Sequence, residues 1–534
     1  MTIMYRRVPS DSRFPLLNGP YTQTEFNQLL EDFENWVNGF TPTVGTYVSP
    51  YSFVITSNIV GGVTYYSANN AYQIIYGGSG NTNGIDGTDA AAVMQAAIDA
   101  ASLTNGSIML TCDIDVTAAS PTAPITPKSN VHLIGANSAI KITAVAGAGY
   151  MMRVLAAIEN FHLENLTLDA AGIANPWDCS YHATDCLLEN VNLINAQGYN
   201  VIFNHIDNNR VKIKGCYMTK GTGHTGMDFV DICGLNCEVS RNILVNDTVD
   251  YSEGIAPAQT INLKIQDNSI IFDASIQTKT IGISLEAYPY ITGETYSHVN
   301  PIVSGNYLFD ASMAIGCGGD QDNSVFNAIA ANNVFEAPNY TVDDPLLYIG
   351  KGTSEILISG NNLGDKMLEI DGGSFLPVNG VHIEGNKFGT FVMQKAADSR
   401  NISVIGNQWI HTAGTYLMYI DSTGYTLTNL SVLNNHIDNQ NGANAHISGG
   451  TFVNKKVKNN SGYVTENAGI AHITAGTTLV VHHGLTGEPI AVMLTPNWTG
   501  TGDVWYTDID TTHFTIHITN AVDCYIAWTA FHDL

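Results

Sequence analysis

From residue 237 onward a short unit recurs in the chain: an apolar or β-branched residue, two variable residues, then asparagine. It runs through Val239–Asn242, Ile265–Asn268, Val303–Asn306, Ala330–Asn333, Ile358–Asn361, Ile383–Asn386, Val404–Asn407 and Val432–Asn435. The intervals are 26, 38, 27, 28, 25, 21 and 28 residues. A coil of this period cannot bury its apolar face alone, so neighbouring coils must stack. Asparagine tolerates a left-handed turn and can ladder its amide to the next coil. Two earlier stretches, FHLENLTL (161–168) and CLLENVNL (186–193), follow the same logic less regularly. The pattern predicts a parallel β-solenoid over 61–465.

The flanks read differently. Residues 22–37 predict a helix: Thr22 and Glu25 form a capping box, and Phe26, Leu29, Leu30 and Phe33 recur on one face. With the strand pattern that follows it, through Tyr51, Phe53 and Ile55, this makes 1–60 an N-terminal helix and strand segment suited to oligomerisation or anchoring. A second helix is expected over 87–102, where Val93, Met94, Ala97, Ile98 and Ala101 form a stripe and Thr88 or Asp89 can cap it. Residues 466–534 alternate apolar and polar between turns, as in a separate all-β module. His482 and His483 fall at a strand end there, in a structural role.

The order YYSANNAYQIIYGGSG, DGTDAAAVMQAAIDAAS, GSIMLTCDIDVT and ITPKSNVHLIGANSAIKI, over about residues 61–145, resembles the opening of pectate-lyase-like right-handed parallel β-helix proteins. That family includes viral tailspikes and archaeal surface proteins. The resemblance implies an all-β solenoid with an N-terminal helical cap and a small C-terminal β-sandwich. It further implies a homotrimer acting on a polysaccharide, outside the cell or on a virion. It is specific for fold and weak for reaction.

Composition narrows the function. Only 13% of the 534 residues are charged, and 50 are glycine against 17 proline, which suits many turns and a small-residue polar exterior. A net charge of −27 excludes a basic nucleic-acid surface for the chain as a whole and disfavours a polyanionic substrate. No run of 18 apolar residues exists, so no membrane insertion is expected. Met1–Leu17 lacks an apolar core, so no signal peptide is expected either. The eight cysteines sit mostly in apolar strand patterns and read as small buried hydrophobes; Cys233 and Cys237 lack a second pair, so no metal site is expected.

Candidate chemistry gathers in three coils. Placing Met227, Ile255 and Ile283 inward turns Asp228 outward with Asp231 nearby, sets His205 in the Asp231 column, and brings Glu253, Glu286 and His224 close. Paired carboxyls are what glycoside hydrolysis needs: one protonated acid, one base or nucleophile. A solvated strand face or a Ca²⁺ site are the alternatives for this cluster; no cofactor is otherwise implied. The longest interval carries Tyr288 and Tyr290, rings on which sugars can stack, with Tyr251 and Trp177 as lesser candidates. Asp320 and Asp322, in CGGDQD, form a second acidic group for substrate binding. A lyase would draw on Lys220, His224 or Tyr288, but an Arg-rich cleft, Asp-Pro-His and the polygalacturonase motifs are absent. Hydrolysis is therefore favoured over β-elimination, with a non-catalytic binding spike as the rival from another class.

Overall fold

The computed structural model describes residues 51–532, apart from 71–72, 121, 225, 247–252, 273–279, 288–296, 318–323, 342–343, 373–375, 395–396, 415, 441–442, 449–450, 464 and 498–501. The helix expected over 22–37 lies outside the described residues, as do Tyr251, Tyr288, Tyr290, Asp320 and Asp322.

The chain winds into an all-β solenoid of about 12 turns. Its strands stack in parallel into sheets that run along the axis. In the first sheet one inward column runs in register through Ile108, Leu133, Leu163, Leu188, Ile213, Val239, Ile265 and Val303, and on to Val432. All of these side chains are buried. Each full burial of such a side chain is worth about 1.5–3 kcal/mol, realised only when a neighbouring coil covers it.

The asparagine pattern is the interior corner of each coil. Asn242, Asn268, Asn306, Asn333, Asn361, Asn386, Asn407, Asn435 and Asn460 are buried. Each Nδ2 from Asn242 to Asn435 donates to the next Oδ1 at 2.9–3.0 Å. The same oxygen also accepts the preceding asparagine's backbone N–H. The remaining Nδ2 hydrogen reaches a carbonyl one coil back, as from Asn306 to Ile265 at 3.0 Å. Asn460 extends the ladder one coil beyond the sequence pattern.

One expectation is corrected here. The left-handed residue is the one before each ladder asparagine: Arg241, Asp267, Gly305, Asn332, Gly360, Gly385, Gly406, Asn434 and Asn459 have φ of 56–68°. That turn aims the following side chain inward, which is why the asparagine meets its neighbours and not water. Asn165, Asn190 and Gly215 make the same turn earlier, but Leu166, Val191 and Cys216 follow them and fill the corner with apolar atoms.

At the N-terminal end, helix α1 (Ala90–Ser102) is capped by Asp89, whose carboxylate accepts from Ala92 N at 3.0 Å. Its buried face, Val93, Met94, Ala97, Ile98 and Ala101, joins the same core as Phe53 and Ile55. The strand Phe53–Val60 already pairs in parallel with Ser107–Leu110, upstream of the boundary expected at 61. At the other end, Glu466–His482, Ala491–Asn497, Val504–Thr507 and His513–Phe531 form one antiparallel sheet with a core of its own. The cysteines described are buried except Cys112, and none is bonded to another.

The ladder makes a quantitative prediction. Asn306→Ala strands the backbone N–H and one Nδ2 hydrogen of Asn268, at about 1–3 kcal/mol per buried unsatisfied group, and removes the side-chain donor to Asn333 Oδ1 and Ile265 O, while Asn333 Oδ1 keeps the backbone N–H of position 306. Urea unfolding is expected to show a loss of about 3 kcal/mol or more, whereas Asn300→Gly, which suits the left-handed φ of 53° and removes only the exposed ladder bonds at the coil's outer corner, loses less than about 1 kcal/mol.

Candidate active site

The cleft lies on the outer face of a third sheet. Its inward column is Met152, Trp177, Val201, Val230, Ile255, Ile283 and Met313. Val230, not Met227, therefore aligns with Ile255 and Ile283; Met227 is 40% exposed. The sequence alignment slipped by three residues because the chain bulges at Phe229. Asn200 N and Val201 N both donate to Phe229 O, and Phe229 and Val230 both turn inward.

The corrected register sorts the candidates. Tyr199, Asp228 and Glu253 each stand two residues before the aligned Val201, Val230 and Ile255, so they share one column on consecutive coils. In the next column Asp231 lies beside Ile202, not His205, and is covered to 1% exposure. His205 turns away to Asp207 at 3.9 Å and stacks near His182. Trp177 is wholly in the core, stacked on Phe161 at 5.4 Å, and offers no platform to a sugar. His224 is buried, and its Nδ1 accepts from Gly226 N at 3.0 Å, holding the turn that leads into Asp228.

Asp228, Glu253 and Glu286, from three successive coils, line a cleft of about 250 Å³ together with Tyr199. Its floor is built of Ala256, Pro257, Ala258 and Ser284, small residues that leave room above the backbone. Burial, then repulsion from Glu253 and Asp231, pushes the Asp228 carboxyl up to about 8 against the pull of Lys220. Glu286 is raised by burial and by Glu253. The Tyr199 phenol is held above its ordinary value by burial and the surrounding carboxylates, so it keeps its proton as a donor.

Lys220 sits beneath this cleft, not in it. Its ammonium donates to Asp228 O at 2.8 Å and to Gly198 O, and lies 4.5 Å from the Phe229 ring centroid. Burial pushes it down to about 7, partly offset by Asp228. It ties together the segments carrying Tyr199 and Asp228, a positioning role.

Tyr199 escaped the sequence analysis because placing Met227 inward shifted the column that it shares with Asp228 and Glu253. Also missed is a continuation along the same face: Tyr348 pairs in register with Glu369, and Gly350 with Asp371. Burial, then Asp371, Glu369 and Glu286, raises the Tyr348 phenol. A side chain at 350 would strike the Tyr348 ring, with a Cβ only 3.0 Å from it, so Gly350 leaves that ring its place. The signal was available in the strand MLEID, where Glu369 alternates with apolar neighbours.

No family model and no curated protein matches the chain. Among solved structures it is similar to the A-module of mannuronan C-5 epimerase AlgE6 from Azotobacter vinelandii, at 15% identity over 70% of this chain and 94% of that one, TM-score 0.39. It is also similar to a mutant tailspike protein of E. coli bacteriophage HK620 in complex with pentasaccharide, at 13% identity, 83% and 90% coverage and TM-score 0.46. A third is the Dettilon tailspike protein, at 12% identity, 82% and 90% coverage and TM-score 0.42. The stacked coils make this chain a right-handed parallel β-helix, the fold that these tailspikes and the epimerase also have.

Proposed function

We propose that the protein is a polysaccharide depolymerase that hydrolyses glycosidic bonds in the acidic cleft. The observation that carries this is the convergence of Asp228, Glu253 and Glu286 from three consecutive coils on one cleft floored by small residues. Asp228, kept protonated at neutral pH by burial and by its neighbours, is the general acid. Glu253, one coil on in the same column, is its partner. A coil rise of about 4.8 Å matches the roughly 5 Å separation of carboxyls in retaining enzymes. Glu286 and Tyr199 flank the reacting sugar, and the chemistry needs no cofactor.

Two features favour hydrolysis over β-elimination. An elimination on a uronate needs a cation in the cleft to neutralise the substrate carboxylate, and the described lining residues include no lysine or arginine. Lys220 is committed to backbone carbonyls beneath it. The same acidic lining repels polyanions, so a neutral or amino-substituted glycan is the substrate class. We place the protein outside the cell or on a virion, as a homotrimer; among the described residues no helix is long and apolar enough to cross a membrane. Light scattering should return three chain masses.

The decisive assay incubates the protein with neutral and acidic polysaccharides and follows reducing ends together with absorbance of unsaturated uronates. Reducing ends without absorbance are expected, with the anomeric configuration of the first product retained by NMR. Absorbance would establish a lyase, and silence across a broad panel a binding spike. Asp228→Asn is expected to lower kcat by about 10²–10⁴-fold, and full activity in both Asp228→Asn and Glu286→Gln would remove the assignment.

Asp228 also sets a pH dependence. The rate should fall as pH rises through about 8, where the acid loses its proton. Stability follows the same group: with its folded value raised, the native state holds a proton that the unfolded chain releases near 4. The resulting penalty grows from about pH 4 and is complete above about pH 8. Asp228→Asn should therefore raise the unfolding midpoint at pH 9 and leave it nearly unchanged at pH 4, measured by thermal scans.

A further inference from the structure

A second cluster lies on the outer face of the first sheet, away from the acidic cleft. His132 and His162 are register partners on adjacent coils, as are Glu164 and Glu189 on the next pair. The two imidazoles stack with centroids 4.0 Å apart and planes 5° from parallel. His132 Nε2 lies 2.9 Å from Glu164 Oε2. His162 Nε2 lies 3.8 Å from Glu164 Oε2 and 3.7 Å from Glu189 Oε2, too far for a hydrogen bond to either. That nitrogen is shielded from solvent and has no hydrogen-bond partner.

A buried ring nitrogen left without a partner, facing two carboxylates at non-bonded distance, is an unfavourable arrangement by itself. A cation between them resolves it. Zinc takes nitrogen and oxygen donors at about 2.0–2.2 Å, which in a tetrahedron puts neighbouring donors about 3.3 Å apart. The separations of 2.9 and 3.8 Å bracket that value. Imidazole pairs with carboxylate select zinc, cobalt or nickel over calcium or magnesium. The side chains are 24–33% accessible, although the His162 nitrogen itself is shielded, so an ion enters past the Glu164 and Glu189 carboxylates. Lys214, next in the glutamate column, pairs onward with Glu238 at 3.8 Å.

We propose that His132, His162 and Glu164 form a binding site for a zinc-class divalent ion that staples two consecutive coils, with the fourth position taken by water. This goes beyond the sequence expectation of no metal and is independent of the chemistry assigned to Asp228. The three ligands stand on two parallel strands whose register is fixed by the core, and binding an ion requires the stacked rings to turn so that both in-plane Nε2 lone pairs meet at it.

The test uses the full chain stripped with a chelator. Calorimetric titration with ZnCl₂ in the presence of millimolar Mg²⁺ should show one saturable site per chain. Co²⁺ should give the visible absorption of a four-coordinate nitrogen–oxygen site. His162→Ala and Glu164→Gln should each weaken zinc binding by more than about 100-fold, beyond what outer-shell changes cost, and abolish the cobalt band. His472→Ala, whose ring pairs with Asp523 in the C-terminal sheet, should leave both unchanged. Should His162→Ala misfold by circular dichroism, Glu164→Gln carries the comparison alone. No saturable binding, or equal binding in the folded ligand variants, overturns the site.

Discussion

The structure depends on coils repeating at the spacing of a parallel sheet. Every buried polar group in one coil must find its partner in the next, because the interior offers no water. The asparagine ladder meets that demand: each amide from Asn268 to Asn435 accepts two hydrogens and donates two, with these partners supplied by adjacent coils. A fully satisfied polar column in a low-dielectric interior fixes register as well as adding stability. A slip by one residue would strand every member at once.

The fixed register gives the cleft its properties. Columns on the outer face place equivalent side chains about one strand spacing apart. Two carboxyls in such a column repel each other, and burial beside the cleft floor adds to the effect. One of them holds its proton where an isolated aspartate would not. The arrangement is costly to the fold, and Lys220 limits the cost by gripping the backbone behind it.

The fold was legible in the sequence because every coil must solve the same corner, so its solution recurs as apolar–x–x–Asn. Even there the pattern misassigned the left-handed residue by one position, since glycine, asparagine, aspartate and arginine all occupy that turn and only the following asparagine is uniform. The site was legible in part. That Asp228, Glu253 and Glu286 come together in one cleft was legible because only 13% of the chain is charged, so three acids on neighbouring coils stand out. His205 was misplaced, and Tyr199 missed, because GMDFVD offers two apolar phases and only the bulge at Phe229 selects between them. His132 and His162 lie 30 residues apart in strands of ordinary appearance, and only stacking brings their rings together.

A column of parallel strands at this spacing is also the geometry of an amyloid fibril, and nothing within a coil tells it to stop. The last coil, at Lys456–Lys458, would otherwise present an open edge to any strand of the same register. The antiparallel sheet that follows runs against the grain of the stack. Its Thr465 bonds back to Val457 at 2.6 Å, and His532 N closes onto Thr465 O at 2.8 Å. With helix α1 packed on the core at the first coils, the parallel stack of the described residues is bounded at both ends, and a second stack of the same register meets no matching edge there.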